Sequence, residues 1–288
     1  MQKLKLVTWN VGFGGMGAEA EIAMDGGKKL IPSSFSQIRK NMKGIQETVE
    51  SHSADIFLLQ EISHGSVLNY WHNLESRVRG ALSDFNSKFV SNFKFPLFLR
   101  ILRNEHGLST FVHNEHEVTR TQSVPYKKSE AYYRIFHRKD YLLATHVTPE
   151  NGDPIVVINT HLAGFDKGGI IRKSQCREII NFANKLHREG NKVIIGADWN
   201  MRLKGESTLN RYETKFPEEY LLDGWTINYC EQTPTVRSTN KPYDKQTSIT
   251  ATIDGFICSP GVNVESVRAL DFEFKHSDHN PVEIIIEY

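Results

Sequence analysis

The sequence predicts an α/β protein, a mostly antiparallel two-sheet sandwich with helices on its outer faces. Eight segments read as strands, near Lys3, Asp55, Leu108, Tyr141, Ile155, Lys192, Thr252 and Val282. Only two long stretches carry helical spacing. Several of the strands read as hairpin partners, which favours antiparallel pairing over long crossovers.

The elements follow in chain order. Leu4 to Trp9 reads as a strand that runs into Asn10. Gly12 to Ser36 is glycine-rich and aperiodic, and is expected to hang over the end of that strand. Ile38, Met42, Ile45 and Val49 recur at helical spacing between Ile38 and His52. Asp55 to Gln60 is an apolar strand that runs into Glu61. Ser91 to Arg103 carries Phe93, Phe95 and Phe98 among Lys94, Arg100 and Arg103. It reads as buried packing, with a ligand surface as the second reading.

Tyr141 to Val147 and Ile155 to Thr160 flank Asn151-Gly152-Asp153-Pro154, a strong hairpin signal. The second of these strands runs into His161. Ile170 to His187 repeats the helical pattern through Ile171, Ile179, Ile180, Ala183 and Leu186, and Gly190 supplies the stop. Lys192 to Ala197 runs into Asp198-Trp199-Asn200. Asp254 opens the strand Gly255 to Cys258, and Asp278-His279 precedes the strand Val282 to Ile286.

Composition narrows the class. The 288 residues are 39% hydrophobic and 24% charged, as in ordinary soluble domains. The net charge of +1 argues against a mainly electrostatic grip on nucleic acid, although a local basic patch stays compatible with it. Three cysteines, Cys176, Cys230 and Cys258, make no disulfide framework and no metal spacing. No apolar run reaches the ~18 residues that span a bilayer. The first strand begins by Lys3, leaving no room for a secretion signal. A cytoplasmic protein with no obligate protein partner is expected.

Polarity and direction together carry the functional reading. At Asn10, Glu61, His161 and Asp198 the strand runs into the polar group, whereas at Asp254 and Asp278 it runs out of it. Strands of opposite direction would bring all six to one rim. A histidine such as His279 suits proton transfer near neutral pH, and Asp254 could hold its tautomer. Glu61 suits a hard cation. Asp198 and Asn200, two apart, share a face if the chain stays extended there. Taken singly, each has a plain alternative: solvated loop charges, an edge carboxylate, or a turn in which Asp198 and Asn200 merely hold the backbone. His276 reads as a bystander.

Other motifs fail on context. Gly12 to Gly17 matches G-x-G-x-x-G, but no long helix follows it, and the next acid at a strand end, Glu61, is too distant for a dinucleotide site. His113-Asn114-Glu115-His116 has the wrong spacing for zinc on a helix, and no G-x-S-x-G or P-loop occurs.

The ordered set Trp9-Asn10, Gln60-Glu61, Thr160-His161-Leu162, Gly196-Ala197-Asp198-Trp199-Asn200, Ile253-Asp254-Gly255 and Ser277-Asp278-His279 resembles the endonuclease/exonuclease/phosphatase superfamily. This group includes deoxyribonucleases, apurinic endonucleases, sphingomyelinases and inositol polyphosphate 5-phosphatases. The resemblance spans nearly the whole chain. It implies one catalytic domain over residues 1–288, a four-layer α/β sandwich, and phosphoester hydrolysis with Mg2+, for which Mn2+ could substitute. It further implies that Glu61 is the main metal ligand, with Asn10 and Asp278 beside it. Asp198 and Asn200 would position water and the phosphoryl group, His161 would contact phosphate, and His279, oriented by Asp254, would handle a proton. Whether Asp198 or His279 is the base stays open. Gly12 stands where apurinic endonucleases carry an acid, which weakens that branch.

For the substrate, Lys28 in the glycine-rich segment and Arg237 in Pro234 to Ser238 could grip a phosphate. A nuclease acting on DNA or RNA is the first reading. A phospholipid, inositol phosphate or other small phosphoester is the alternative, and a non-catalytic binding module on the same fold is the third.

Overall fold

The computed structural model describes residues 2–92, 104–132, 136–137, 139–205 and 213–288. The aromatic run 93–103 lies outside the described residues. Along the chain come β1 (Lys3–Asn10), α1 (Phe35–Ser51), β2 (Ile56–Ser66), α2 (Leu74–Ala81), β3 (Phe85–Ser91), β4 (Asn104–His113), β5 (Glu117–Pro125), β6 (Ala131–Tyr132), β7 (Phe136–His137), β8 (Tyr141–Thr148), β9 (Ile155–His161), α3 (Ile170–Arg188), β10 (Lys192–Asp198), β11 (Thr226–Asn228), β12 (Val236–Arg237), β13 (Thr250–Ala251), β14 (Asp254–Cys258), β15 (Asn263–Ala269) and β16 (Val282–Glu287).

Two six-stranded sheets result, ordered β15-β16-β1-β2-β4-β3 and β11-β14-β10-β9-β8-β5. Each has one parallel pair, β1 with β2 and β9 with β10, and is otherwise antiparallel. The expected hairpin joins β8 to β9. Two short ribbons, β6–β7 and β12–β13, stand apart from the sheets.

Strand residues alternate between two cores. Phe57 and Leu59 of β2 pack with Ile38, Met42 and Ile45 of α1 and Val78 of α2. Ile56 and Leu58 instead meet Val157, Ile194, Phe256 and Ile284 between the sheets. On the far side, Ile179, Ile180 and Ala183 of α3 cover Val156, Ile158, Val193 and Ile195. The order is helices, sheet, sheet, helix. Central strands are buried on both faces, which is why they read as continuous apolar runs. At Gly196 a Cβ would stand 2.5 Å from Leu58 Cδ1 of the other sheet, so this position has no room for a side chain.

α1 starts at Phe35, earlier than its apolar spacing suggested, because Ser34 and Gln37 close a capping box. α2 is a short helix with too few turns to leave a periodic signature. β2 does not stop at Glu61. It continues to Ser66 through a bulge, since Leu59 pairs Ser109 and Ile62 pairs Gly107, leaving Gln60 and Glu61 opposite a single position.

Candidate active site

Strand direction and register bring the polar strand ends together. β9 and β10 are parallel and in register to their last residues, so His161 pairs with Asp198. β14 runs the other way and sets Asp254 opposite Asp198. A buried amide bridge ties the two sheets beneath this row. Gln60 Nε2 donates to Asn159 Oδ1 at 2.8 Å, and Asn159 Nδ2 donates to the carbonyls of Leu59 and Ser109 at 3.2 and 3.0 Å. Such groups are costly to bury unpaired, so the bridge fixes how the sheets face one another. One residue past Gln60 and two past Asn159 come Glu61 and His161, with His161 Nε2 3.8 Å from Glu61 Oε1.

Asp198 is the hub. Its Oδ2 accepts a hydrogen bond from Asn10 Nδ2 at 2.9 Å, and lies 3.4 Å from His161 Nε2 and 3.7 Å from His279 Nε2. Its Oδ1 accepts from the backbone N–H of Asn200 at 2.9 Å. The turn role and the rim role therefore belong to different oxygens of one carboxylate. Asn200 does not continue the extended strand. It is left-handed at φ 49°, a conformation asparagine tolerates better than most residues. Its Nδ2 donates to Leu162 O at 2.9 Å, while its Oδ1 is buried and accepts no hydrogen bond.

His279 is held on both sides. Its Nδ1 donates to Asp254 at 2.9 Å, its backbone N–H donates to Ser277 Oγ, and its carbonyl accepts from Trp9 Nε1 at 2.9 Å. Burial works against a charged ring here, but the carboxylates of Asp254 and then Asp198 overcome it and raise the pKa to about 10. Burial, and then the charge of Asp254, push the Asp198 carboxyl up to about 6. Both carboxylates favour the charged form of the ring that lies between them. Asp278 is beside the end of β1: Ser277 Oγ donates to Asn10 O at 2.7 Å, and a Cβ on Gly12 would come 3.0 Å from Asp278 Oδ1. Glu61 is half-buried at the bulge with φ 52°, a strained setting for a glutamate.

The Endonuclease/Exonuclease/phosphatase family pattern matches residues 7–279. The chain belongs to the endonuclease/exonuclease/phosphatase family. No curated protein sequence matches it. Solved structures share the family fold. A Bacteroides vulgatus endonuclease/exonuclease/phosphatase aligns with TM-score 0.67 at 14% identity, covering 100% of this chain and 99% of that one. D. rerio TDP2, complexed with single-strand DNA product, aligns with TM-score 0.66 at 14% identity over 100% of both chains. The human Nocturnin catalytic domain, with a bound sulfate anion, aligns with TM-score 0.63 at 17% identity, covering 99% of this chain and 94% of that one. Family membership points to a phosphoester hydrolase that uses a divalent metal.

The rim has donors that suit such a metal. Asp198, Asp254 and His279 offer ligand atoms within 4.8 Å of one another. There, however, His279 Nδ1 is already hydrogen-bonded to Asp254 at 2.9 Å, and Asp198 Oδ2 to Asn10 at 2.9 Å. The Glu61 and Asp278 carboxylates and the Asn10 amide are hard oxygen donors at the same family rim, and the unpaired Asn200 Oδ1 adds acceptor capacity.

The two expected phosphate grips are placed differently. Arg237 is 1% exposed, and its guanidinium donates to the carbonyls of Gly17 at 2.6 Å, Ser238 at 2.8 Å and Lys241 at 3.2 Å. It is spent on fastening the glycine-rich loop. Asp25 completes that fastening by accepting from Thr239 N at 2.6 Å. Lys28 is exposed on the same loop, with its backbone N–H on Glu21. Gly12 and Gly14 take φ 47° and 74° in a short 3-10 turn, with no dinucleotide helix behind them. His276 packs against Gly44 of α1, away from the hub.

Arg172 was not anticipated from sequence. It is buried in the first turn of α3, and its Nη1 donates to Asn200 O at 2.5 Å. Its Nη2 donates to Asp166 O at 2.7 Å. It thereby clamps the loop after β9 to the loop after β10. The one signal in the sequence was weak: Arg172 falls at helical spacing on the stripe of Cys176, Ile179 and Ala183.

Proposed function

We propose that the protein is a magnesium-dependent phosphodiesterase that cleaves nucleic acid, with manganese able to substitute. The observation that carries this is the Asp254–His279–Asp198 chain meeting His161 and Glu61 at one rim. Glu61, Asn10 and Asp278 would hold the metal, which when bound polarises a phosphoryl oxygen and offsets charge on the leaving oxygen. Asp198 takes the proton from the attacking water, because its raised pKa makes it a better base than an ordinary aspartate while leaving it ionised at neutral pH. His279, charged and held by Asp254, keeps Asp198 in place and stabilises its anionic form. Its raised pKa argues against its being the resting base. His161, 3.4 Å from Asp198, donates toward a non-bridging phosphoryl oxygen as negative charge develops there. Asn200 Nδ2 gives one N–H to Leu162 O, and its second N–H would donate to the same phosphoryl group. A nucleic-acid substrate is supported by the DNA product bound to the TDP2 relative.

The experiment compares plasmid nicking, single-strand oligonucleotide cleavage and phosphate release from a monoester panel, each with magnesium, manganese or EDTA. Metal-dependent cleavage of DNA or RNA that EDTA abolishes is expected. Phosphate release from monoesters with nucleic acid left intact would move the activity to a phosphatase. Inactivity on every substrate despite bound magnesium would reject hydrolysis and leave a binding module.

A further inference from the structure

We propose that Phe35, Tyr70, Trp71 and His72, with Arg39 and Arg77, form a stacking platform for the unpaired bases of single-stranded nucleic acid approaching the catalytic rim. The proposal deepens the nucleic-acid reading above and rests on it for the substrate class.

The patch is aromatic, exposed and cationic. Trp71 is 49% and Phe35 48% exposed, although both rings are costly to leave in water. Phe35 meets the Tyr70 ring edge-on at 5.6 Å and the His72 ring at 5.2 Å. Arg39 Cζ lies 5.9 Å from the Phe35 ring centre. Burial, and then the charges of Arg77 and Arg39, disfavour a proton on His72, and Arg77 Nη1 donates to Gln46 Oε1 of α1 at 3.2 Å. Rings accept bases of any sequence by stacking, and guanidinium groups accept the phosphates between them.

The backbone is held in a form that a free loop would avoid. Tyr70 and Trp71 are consecutive non-glycine residues with φ 54° and 61°. Such conformations persist only where the surroundings enforce them, and they gather at functional sites. Trp71 N donates to Ser66 O at 2.7 Å. The buried Asn69 amide ties the turn to the rim: its Nδ2 donates to Ser63 Oγ at 2.7 Å, Phe13 O at 2.9 Å and His72 O at 3.1 Å. Ser63 is two residues beyond Glu61, and Phe13 three beyond Asn10. The platform is thus continuous with two strands that carry the candidate metal donors.

The test measures binding and turnover separately. Fluorescein-labelled 12-nucleotide single-stranded DNA and RNA of one sequence are titrated against the full chain in EDTA, comparing wild type with Trp71→Ala, Trp71→Phe and Phe35→Ala. Stacking predicts about tenfold weaker binding for each alanine variant and near-wild-type binding for Trp71→Phe. Hydrolysis of bis(p-nitrophenyl) phosphate, too small to reach the platform, should be unchanged in all three. Equal oligonucleotide affinity in wild type and Trp71→Ala would overturn the proposal. So would a parallel loss of small-substrate turnover and thermal stability, which would make Trp71 structural. A change in oligomeric state without a change in DNA or RNA affinity would assign the patch to a second copy of the chain and reject the platform. Since binding is read without turnover, a wild type that binds DNA but hydrolyses nothing refutes the proposed function and keeps the platform.

Discussion

Replacing Asp254 with asparagine removes one negative charge and almost no volume. In the native site its carboxylate oxygens lie 2.9 and 3.1 Å from His279 Nδ1. With Asp198 they lift His279 from 6.5 to about 10 against the cost of burial. A shift of that size corresponds to about 5 kcal/mol favouring the charged ring. Losing the nearest of its three neighbouring carboxylates should lower the His279 pKa by about 1–3. The sign is set by which state binds the proton more tightly. The folded pKa is raised, so this charge stabilises the fold fully below pH 6.5, and the contribution is lost as pH rises toward 10. In Asp254→Asn the loss begins at lower pH, and near pH 8 a substantial fraction of the ring is neutral. The assay is an NMR titration of the His279 ring protons, beside a pH profile of kcat/KM on bis(p-nitrophenyl) phosphate. The alkaline limb should move down by about 1–3 pH units, and turnover at pH 8 should fall by up to about tenfold, following the fraction of His279 that stays protonated. A folded Asp254→Asn protein with the wild-type profile and rate would refute the coupling of Asp254 to His279.

Asp198→Ala and His279→Ala should each abolish turnover while circular dichroism reports a folded protein; wild-type activity in either removes that residue from the mechanism. The acidic limb of the wild-type profile should fall near pH 6, because Asp198 is protonated below its raised pKa and can no longer accept a proton; activity persisting at pH 4.5 would contradict the base assignment. Arg172→Leu should cost about 1–3 kcal/mol in urea unfolding, since it leaves the buried carbonyls of Asn200 and Asp166 without their guanidinium donor, while the backbone N–H at position 172 still holds the Asp166 carboxylate. It should also lower kcat through the released Asn200 carbonyl, and Arg172→Lys should restore only part of either effect because it cannot make both backbone contacts.

How much of this was legible depended on burial. The eight strands read from sequence are β16, β1, β2 and β4 of one sheet and β14, β10, β9 and β8 of the other. These are the four central strands of each sheet. The edge strands β15, β3, β11 and β5 escaped notice. β5 and β15 alternate exposed and half-buried residues, so their composition resembles that of loops. The six polar strand ends were legible for a related reason: each interrupts or borders an apolar run. The surroundings of Arg237 were not legible, because its short loop sequence carries no sign of the five backbone carbonyls that surround its guanidinium. Arg172 was passed over because a lone arginine at a helix start looks like any solvated charge.

Local sequence determined the central strands, the polar residues that border or interrupt them, and the class of chemistry those residues can perform, because hydrophobic periodicity and side-chain type are properties of the chain itself. Tertiary structure alone decided that Asp198 would be the hub, that His279 would carry a charge while buried, and that Arg237 would become a strut. Those outcomes depend on distances between groups far apart in sequence, and an electrostatic environment exists only once the two sheets have closed around it.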